Sequence, residues 1–195
     1  MDIPTFKSAF NGGTRSKRFL VSGYVGVAQQ QQQSIHPFHI RATFIPPITN
    51  ITLTMNAFGR KLNIPGDREY APWQITVYDD FGGNAQSSTS AAQNLWYLFS
   101  GWHDDINQHT VNESKLTYPN DLKYKQDWKV QQLNLKGDVI KTFIMEGCWP
   151  KTVSDIDFNM TRRNFLNTFS VIMLYDSIRI PADNNGGGSL PSDPS

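Results

Sequence analysis

The residue types that could bind a metal are scattered along the 195-residue chain and form no motif. His36 and His39 have no carboxylate or Cys at a matching spacing. His103 ends a predicted helix, where a His often acts only as a favourable C-terminal charge. His109 adds no further ligand pattern. The sequence therefore predicts no metal site, and no cofactor is expected.

Cys148 and two pairs of Asp residues are the remaining candidates for catalysis. Cys148 has no His near it in sequence, and its neighbours Gly147 and Trp149 indicate a packed corner rather than a nucleophile. Asp79-Asp80 and Asp155/Asp157 suit acid–base chemistry, but their positions favour a strand end and a solvent face. The chain has no phosphate-binding loop, nucleophile elbow or dinucleotide fingerprint. We therefore expect no catalytic residues and no enzymatic activity.

Composition limits the possible partners without naming one. The chain is 38% hydrophobic and 18% charged, with a net charge of +1, so composition does not favour nucleic acid or a membrane as a partner. One Cys cannot form an internal disulfide. No apolar run reaches the length of a membrane span, and the N-terminus lacks the pattern of a secretory signal, so no membrane anchor is expected.

Alternation of polar and apolar residues predicts that most of the chain is β-structure. Residues 38–44 and 50–58 both alternate, and Pro46-Pro47 between them is typical of a turn. We therefore predict a long hairpin over residues 38–58, with one apolar face and one almost wholly polar face. An isolated two-stranded hairpin is marginally stable, so this one needs neighbours.

A polar stretch, residues 59–72, follows the predicted hairpin. Pro65-Gly66-Asp67 has the composition of a turn, so we interpret the stretch as a polar connector. It leads into a predicted strand at residues 73–78.

The helical periodicity of Leu95, Leu98, Phe99 and Trp102 predicts one helix over residues 91–107. An exposed loop is expected at 108–127. A second hairpin is predicted at 129–146, with breaks at Gly147 to Pro150. Further strands are expected at 156–160 and 165–175. These elements predict a mainly β fold: an antiparallel barrel or sandwich with one flanking helix. Residues 1–180 would form the domain and residues 181–195 a flexible Gly/Pro/Ser-rich tail.

Three segments together resemble the tail tube proteins of contractile-tailed, T4-like bacteriophages. The first runs from Gly59-Arg60-Lys61-Leu62-Asn63 through the Gly66-Asp67-Arg68 turn to the Trp73 strand. The second is Gly147-Cys148-Trp149-Pro150. The third is the N-terminal order of a short helix, Gly-Gly, a basic residue and the strand at Phe19. The order of elements agrees with this family along residues 5–176.

The resemblance implies a fold shared with type VI secretion tube proteins and homohexameric rings stacked into a hollow tube. Its partners would be other copies of the chain, the tail sheath protein, and the baseplate and tail-terminator proteins. DNA and the tape-measure protein would pass through the lumen. The protein would reside in the virion tail, and in the host cytoplasm during assembly. Two alternatives stay open: a baseplate tube initiator or minor tube ring of the same fold, and a carbohydrate-binding β-sandwich.

In that family a long hairpin from each subunit lines the tube. The polar face of the predicted hairpin would then line the lumen and would carry few charges. The lumen-lining residues would be His39, Arg41, Thr43, Asn50, Thr52, Thr54 and Asn56. The connector would meet charges on an adjacent subunit or ring through Arg60, Lys61, Asp67, Arg68 and Glu69.

Overall fold

The computed structural model describes residues 3–5, 14–27, 33–79, 94–107, 122–158 and 166–181. Within these ranges the chain forms antiparallel β-structure and one helix of several turns, α1 (Leu95–Ile106). Short 3-10 turns occupy Pro37–His39 and Leu122–Tyr124. The strands are β1 (Phe19–Ser22), β2 (Tyr24–Val25), β3 (Gln33–Ser34), β4 (Ile40–Thr43), β5 (Ile48–Ala57), β6 (Arg60–Tyr70), β7 (Trp73–Tyr78), β8 (Gln126–Leu133), β9 (Val139–Val153), β10 (Thr168–Leu174) and β11 (Ser177–Arg179).

The largest sheet has seven strands in the order β1-β8-β9-β10-β7-β4, with β11 paired to β9. Two separate pairs, β2 with β3 and β5 with β6, lie outside it. The hydrogen-bonded path ends at β1 and β4, so it does not close into a barrel among the described residues. The predicted mainly β class with one helix is confirmed.

Several predicted elements are confirmed. The strand at 73–78 is β7, and the apolar helical stripe becomes α1, in which Leu95, Phe99 and Trp102 are buried. Asn94 caps this helix, since its side chain accepts a 2.7 Å hydrogen bond from the Trp96 amide. The hairpin of β8 and β9 turns at Gly137, which has a φ of 98° that favours glycine.

The predicted hairpin over residues 38–58 is wrong. β4 pairs with β7, and β5 pairs with β6 instead. Pro46-Pro47 separates β4 from β5 without folding one strand onto the other. Two prolines supply no N–H groups and hold φ near −65°, so they interrupt the ladder and redirect the chain. The turn that closes the observed hairpin lies at Phe58 and Gly59.

The predicted break of the strand at Gly147 to Pro150 is also wrong. β9 continues through Gly147 to Val153. Gly147 has a φ of 67°, which kinks the strand without ending it. No strand forms at residues 154–158, and residues 159–160 lie outside the described part of the chain. Of the predicted loop at 108–127, residues 122–124 form a 3-10 turn and β8 already begins at Gln126. Apart from Pro181, the predicted tail is outside the described residues.

The core is built around aromatic side chains from α1 and both halves of the large sheet. Trp128 lies 5.8 Å from Trp73 and 6.2 Å from Phe99, measured between ring centroids, and Phe99 lies 6.0 Å from Phe169. All four side chains are buried. Such ring pairs add about 0.5–1.5 kcal/mol each beyond their area burial. They hold the helix against the sheet.

Indole N–H groups also anchor the aromatic core to the backbone around it. Trp102 Nε1 donates to the Tyr124 carbonyl at 2.9 Å, and Trp96 Nε1 donates to the Ser154 carbonyl at 3.0 Å. Both bonds tie α1 to segments far away in sequence. No helix in the described ranges is long and apolar enough to cross a membrane.

Candidate assembly surface

The β5–β6 pair forms a two-stranded ribbon that stands apart from the large sheet; we call residues 48–70 the ribbon. Its strands have ten and eleven residues. Phe58 and Gly59 close it as a two-residue turn, with φ values of 51° and 74°. Positive φ at both central residues is the signature of a type I′ turn, whose twist matches that of the flanking strands.

A β-bulge near the base of the ribbon explains why Pro65-Gly66-Asp67 forms part of a strand and not a turn. Asn50 pairs with Arg68 but Thr52 pairs with Pro65, so β6 carries one extra residue opposite Ile51. A Cβ on Gly66 would lie 2.9 Å from the Ile51 carbonyl oxygen. Only glycine fits this close approach.

One face of the ribbon is apolar and uncovered. Its cross-strand pairs are Leu53 with Ile64 and Met55 with Leu62, and Ile51 lies on the same face. Leu53, Met55 and Leu62 are each 55% exposed. The predicted split of β5 into an apolar and a polar face is confirmed, and β6 adds Leu62 and Ile64 to the apolar face.

The opposite face is polar. Asn50, Thr52, Thr54 and Asn56 lie on it, and all four are exposed. Thr54 donates a 3.3 Å hydrogen bond to Asn63 across the strands. Register also places Lys61 beside Asn56 and Arg68 beside Asn50. The polar face is therefore more basic than residues 50–56 alone indicate.

The other three predicted lumen residues belong elsewhere. His39 ends the 3-10 turn, and Arg41 and Thr43 lie on β4 at the edge of the large sheet. Thr43 accepts a 2.8 Å hydrogen bond from Trp73 Nε1, so its hydroxyl supports a core side chain. The structure thus separates these three residues from the four on β5. The cause is the pairing of β4 with β7.

The five predicted contact residues lie on a strand, not on a polar connector as predicted. Arg60, Lys61, Asp67, Arg68 and Glu69 are all in β6, and all are exposed. The alternation of β6 and its bulge divide them between two faces. Lys61 and Arg68 share the polar face, whereas Arg60, Asp67 and Glu69 are on the apolar side. None forms an ion pair with another described residue.

The base of the ribbon is fastened to the body through tyrosines. The rings of Tyr70, at the end of β6, and Tyr175 lie 5.6 Å apart. Burial raises the pKa of Tyr175 to about 12. The Tyr175 hydroxyl therefore stays neutral at physiological pH, and the two rings pack against each other between the ribbon and the large sheet.

The described Cys, Asp and His residues considered as catalytic or metal-binding candidates are buried in the core, hydrogen-bonded at a helix cap, or exposed. Cys148 is buried, and burial raises the pKa of its thiol. Asp79 accepts a 2.8 Å hydrogen bond from Asn94 and links the end of β7 to the helix cap. Asp155, Asp157 and His103 are exposed. Among the described residues no group of three or more His, Cys, Asp or Glu side chains is placed to hold a metal. Asp80 and His109 lie outside those residues.

The apolar residues Leu62 and Ile64 are not assigned to a strand from the sequence, because the turn composition of Pro65-Gly66-Asp67 favours a connector. The signal was present in Arg60-Lys61-Leu62-Asn63-Ile64, which continues the alternation directly after Phe58-Gly59.

Comparison with known proteins identifies the family. The family model for phage tail tube proteins matches residues 19–180. The tail tube protein gp19 of Enterobacteria phage T4 is 25% identical over 140 residues, which cover 71% of this chain and 78% of that protein.

Solved structures are similar in fold. A chain of the anti-feeding prophage cap aligns with a TM-score of 0.56 at 16% identity and covers 87% of this chain and 91% of its own. A chain of the sheath–tube complex of an extracellular contractile injection system, PVC, gives a TM-score of 0.55 at 16% identity, with 93% and 99% covered. At these identities the likeness shows the fold alone. The family match covers most of the chain, and the protein therefore belongs to the phage tail tube family, as a structural protein of the inner tube of contractile tails.

Proposed function

We propose that copies of this chain close into homohexameric rings through their ribbons, and that the rings stack into the tube. The observation that carries this proposal is the uncovered apolar face of a ribbon whose two long edges are unpaired among the described residues. A two-stranded hairpin alone is marginally stable in water. Exposed strand edges beside an apolar face also invite uncontrolled pairing.

Ring closure resolves both problems. Side-by-side ribbons would pair each exposed edge with a neighbour, and a closed ring leaves no free edge. The apolar face would then be covered by protein of the assembled ring, and the polar face would be exposed to water in the lumen. Asn50, Thr52, Thr54 and Asn56 are proposed to line that lumen. His39, at the end of the 3-10 turn, and Arg41 and Thr43, on β4, are not included in the proposed lumen wall.

The charges on the apolar side favour contact between rings. Arg60 lies at the tip of the ribbon, and Asp67 and Glu69 lie near its base. Head-to-tail stacking would bring the cation of one copy toward the acids of the next. We propose Arg60, Asp67 and Glu69 as the ring-to-ring contacts.

The wider assignment follows from the family. We propose a tube that conducts DNA, with the tape-measure protein inside during assembly in the host cytoplasm. It would lie within a contractile sheath, between baseplate and terminator. We infer a structural role without enzymatic activity. A tube-initiator ring shares the fold, and it differs in forming one ring rather than many.

The test compares matched substitutions on the two faces of β5. Leu53→Asn with Met55→Asn removes apolar side chains from the face proposed to be covered. Thr52→Asn with Thr54→Asn makes polar replacements on the other face. Size-exclusion chromatography with light scattering and negative-stain microscopy then report rings and tubes.

We expect the Leu53/Met55 variant to stay monomeric with the thermal stability of the wild-type monomer, because these side chains are exposed in the single chain. The Thr52/Thr54 variant should assemble. Equal assembly by both variants would refute the proposal. Wild-type rings without tubes would favour the initiator.

A further inference from the structure

Phe58 occupies a position at the tip of the ribbon that suits neither its backbone nor its side chain. Its φ of 51° lies in the left-handed region, which a bulky residue adopts only with strain. Its ring is fully exposed, so it has no stabilising contact in the single chain. The preferred residue at this position of the turn is Asn. An aromatic residue that is both strained and unburied in the free protomer indicates a contact with a partner.

The body of the protein has an open apolar cavity of about 230 Å³ at the base of the ribbon. Phe19 on β1 and Thr43 on β4 both line it, so the cavity lies between the two ends of the large sheet. Phe44, Ile45 and Phe143 add apolar surface, and only two prolines separate Ile45 from the start of β5. A cavity of about 150 Å³ is enough to hold a benzene ring. This cavity therefore has room for one Phe side chain.

The charged residues that line the cavity are both cations. Arg18 Nη1 donates to the carbonyls of Asn134 and Leu135, at 3.3 and 2.9 Å, and these bonds hold the guanidinium beside the cavity. Lys141 contributes the second cation, and none of the described residues in the lining is acidic. Cations within about 6 Å are attracted to the face of an aromatic ring. The lining therefore favours an aromatic side chain over an aliphatic one.

The tip of the ribbon cannot enter the cavity of its own chain. β5 has ten residues, which span roughly 33 Å at about 3.3 Å per residue. The tip and the cavity therefore lie at opposite ends of the ribbon. A tip that fits a cavity at the other end of a second copy makes a head-to-tail contact, and such a contact repeats from copy to copy along an axis.

We propose that Phe58 of one copy inserts into this cavity of a second copy, in the next ring. The inference rests on the proposed function, because it requires rings that stack in one direction. With Phe58 in the cavity, Arg60 would lie beside the base of the next ribbon, where Asp67 and Glu69 are. The aromatic contact and the charge contacts thus form in the same register. Burial of the ring in the tube offsets the strain of the turn.

The experiment follows ring and tube formation by sedimentation and negative-stain microscopy over a range of protein concentrations. Phe58→Asn removes the ring and keeps the turn, whereas Phe58→Tyr keeps the ring. Ser16→Trp fills the cavity from an exposed residue of its lining. Tyr97→Gln is the matched control, since it removes an exposed aromatic ring from α1.

We expect Phe58→Asn and Ser16→Trp to form rings that do not stack, and Phe58→Tyr and Tyr97→Gln to form tubes as the wild type does. The concentration needed for stacking should rise at least about tenfold for Phe58→Asn, since burial of a Phe ring contributes at least that factor. Asn suits the turn, so this variant should lose stacking while its protomer keeps its Tm.

Tubes of Phe58→Asn at the wild-type concentration would overturn the inference alone. Loss of the rings together with the tubes in this variant would contradict the assignment of Phe58 to the contact between rings. Failure of the wild type to form rings would instead refute the proposed function and this inference with it.

Photo-cross-linking locates the contact directly and does not depend on a loss of assembly. The aromatic photo-cross-linker p-benzoylphenylalanine is incorporated in place of Phe58, assembled tubes are irradiated, and peptide mass spectrometry identifies the cross-linked residues. Cross-links between copies should lie on the cavity lining, at Phe44, Ile45 or Phe143. Cross-links confined to another surface of the neighbouring copy would contradict the proposal.

Discussion

Replacing Gly23 by Ala should destabilise the protein strongly for a change of one methyl group. A Cβ at this position would lie 2.3–2.6 Å from three ring atoms of Trp128. Trp128 is fully buried, and Trp73 and Phe99 pack against it. The indole therefore cannot move aside without displacing other core rings. Overpacking of this kind costs about 1–3 kcal/mol, and we expect the upper part of that range.

The matched control is Gly101→Ala in α1. Gly101 is exposed within the helix, and a Cβ there has no neighbour within 4 Å. This change should stabilise the protein by about 0.5–1 kcal/mol, because Ala loses less backbone entropy than Gly in a helix. The same substitution is thus expected to lower the free energy of unfolding at Gly23 and to raise it at Gly101.

Urea denaturation of the unassembled chain, followed by Trp fluorescence, measures both free energies of unfolding. For a chain of this size each kcal/mol shifts Tm by about 2–4 °C. An unchanged free energy of unfolding for Gly23→Ala would show that the core around Trp128 has room for the added methyl group, in contradiction to the structure. A loss of stability for Gly101→Ala would contradict the exposed position of that glycine. Either result would refute the reasoning.

Two further predictions concern the ribbon tip and the β9 edge. Phe58→Asn should raise the unfolding free energy of the unassembled chain by about 1 kcal/mol in urea denaturation, since Phe58 is fully exposed with a φ of 51° and Asn tolerates that conformation better; a fall would contradict the turn geometry. Hydrogen bonds from Ser177 and Arg179 lower the pKa of Glu146 below its ordinary 4.5, so its contribution to stability is present above pH 4.5 and is lost as the pH falls through the lowered folded value. Glu146→Gln should abolish that part of the acid dependence in Tm measured against pH, and an unchanged profile would show that the carboxylate contributes nothing.

The sequence predicts the elements whose pattern is purely local. The stripe of Leu95, Phe99 and Trp102 specifies α1, and the alternation of residues 73–78 specifies β7, because each pattern reflects burial along one element. The turn at Gly137 follows in the same way, whereas β8 begins at Gln126, within the predicted loop. These elements build the core, and the core needs little more than hydrophobic periodicity.

Strand pairing is less accessible because it depends on competing turns. Two candidate turns, Pro46-Pro47 and Pro65-Gly66-Asp67, have stronger turn composition than Phe58-Gly59, yet the observed hairpin closes at the latter. A bulge lets Pro65 occupy a strand that is paired on one edge only. The same bulge sets which face Arg68 occupies. Because the sequence indicates the wrong hairpin turn, it assigns the charged residues of β6 to a connector and not to a strand. The faces of β5 are predicted correctly.

β9 gives the protomer an uneven distribution of cooperativity. Its 15 residues pair with β8 along one edge and with β10 and β11 along the other. Because β9 is paired on both edges, the two halves of the large sheet cannot separate without breaking hydrogen bonds of β9. We therefore expect the large sheet to unfold as a single cooperative unit. The ribbon shares no such strand, and only its base is packed on the body. Each copy thus combines a rigid body with a more flexible ribbon. The ribbons of neighbouring copies can then adjust to one another while the body keeps its shape.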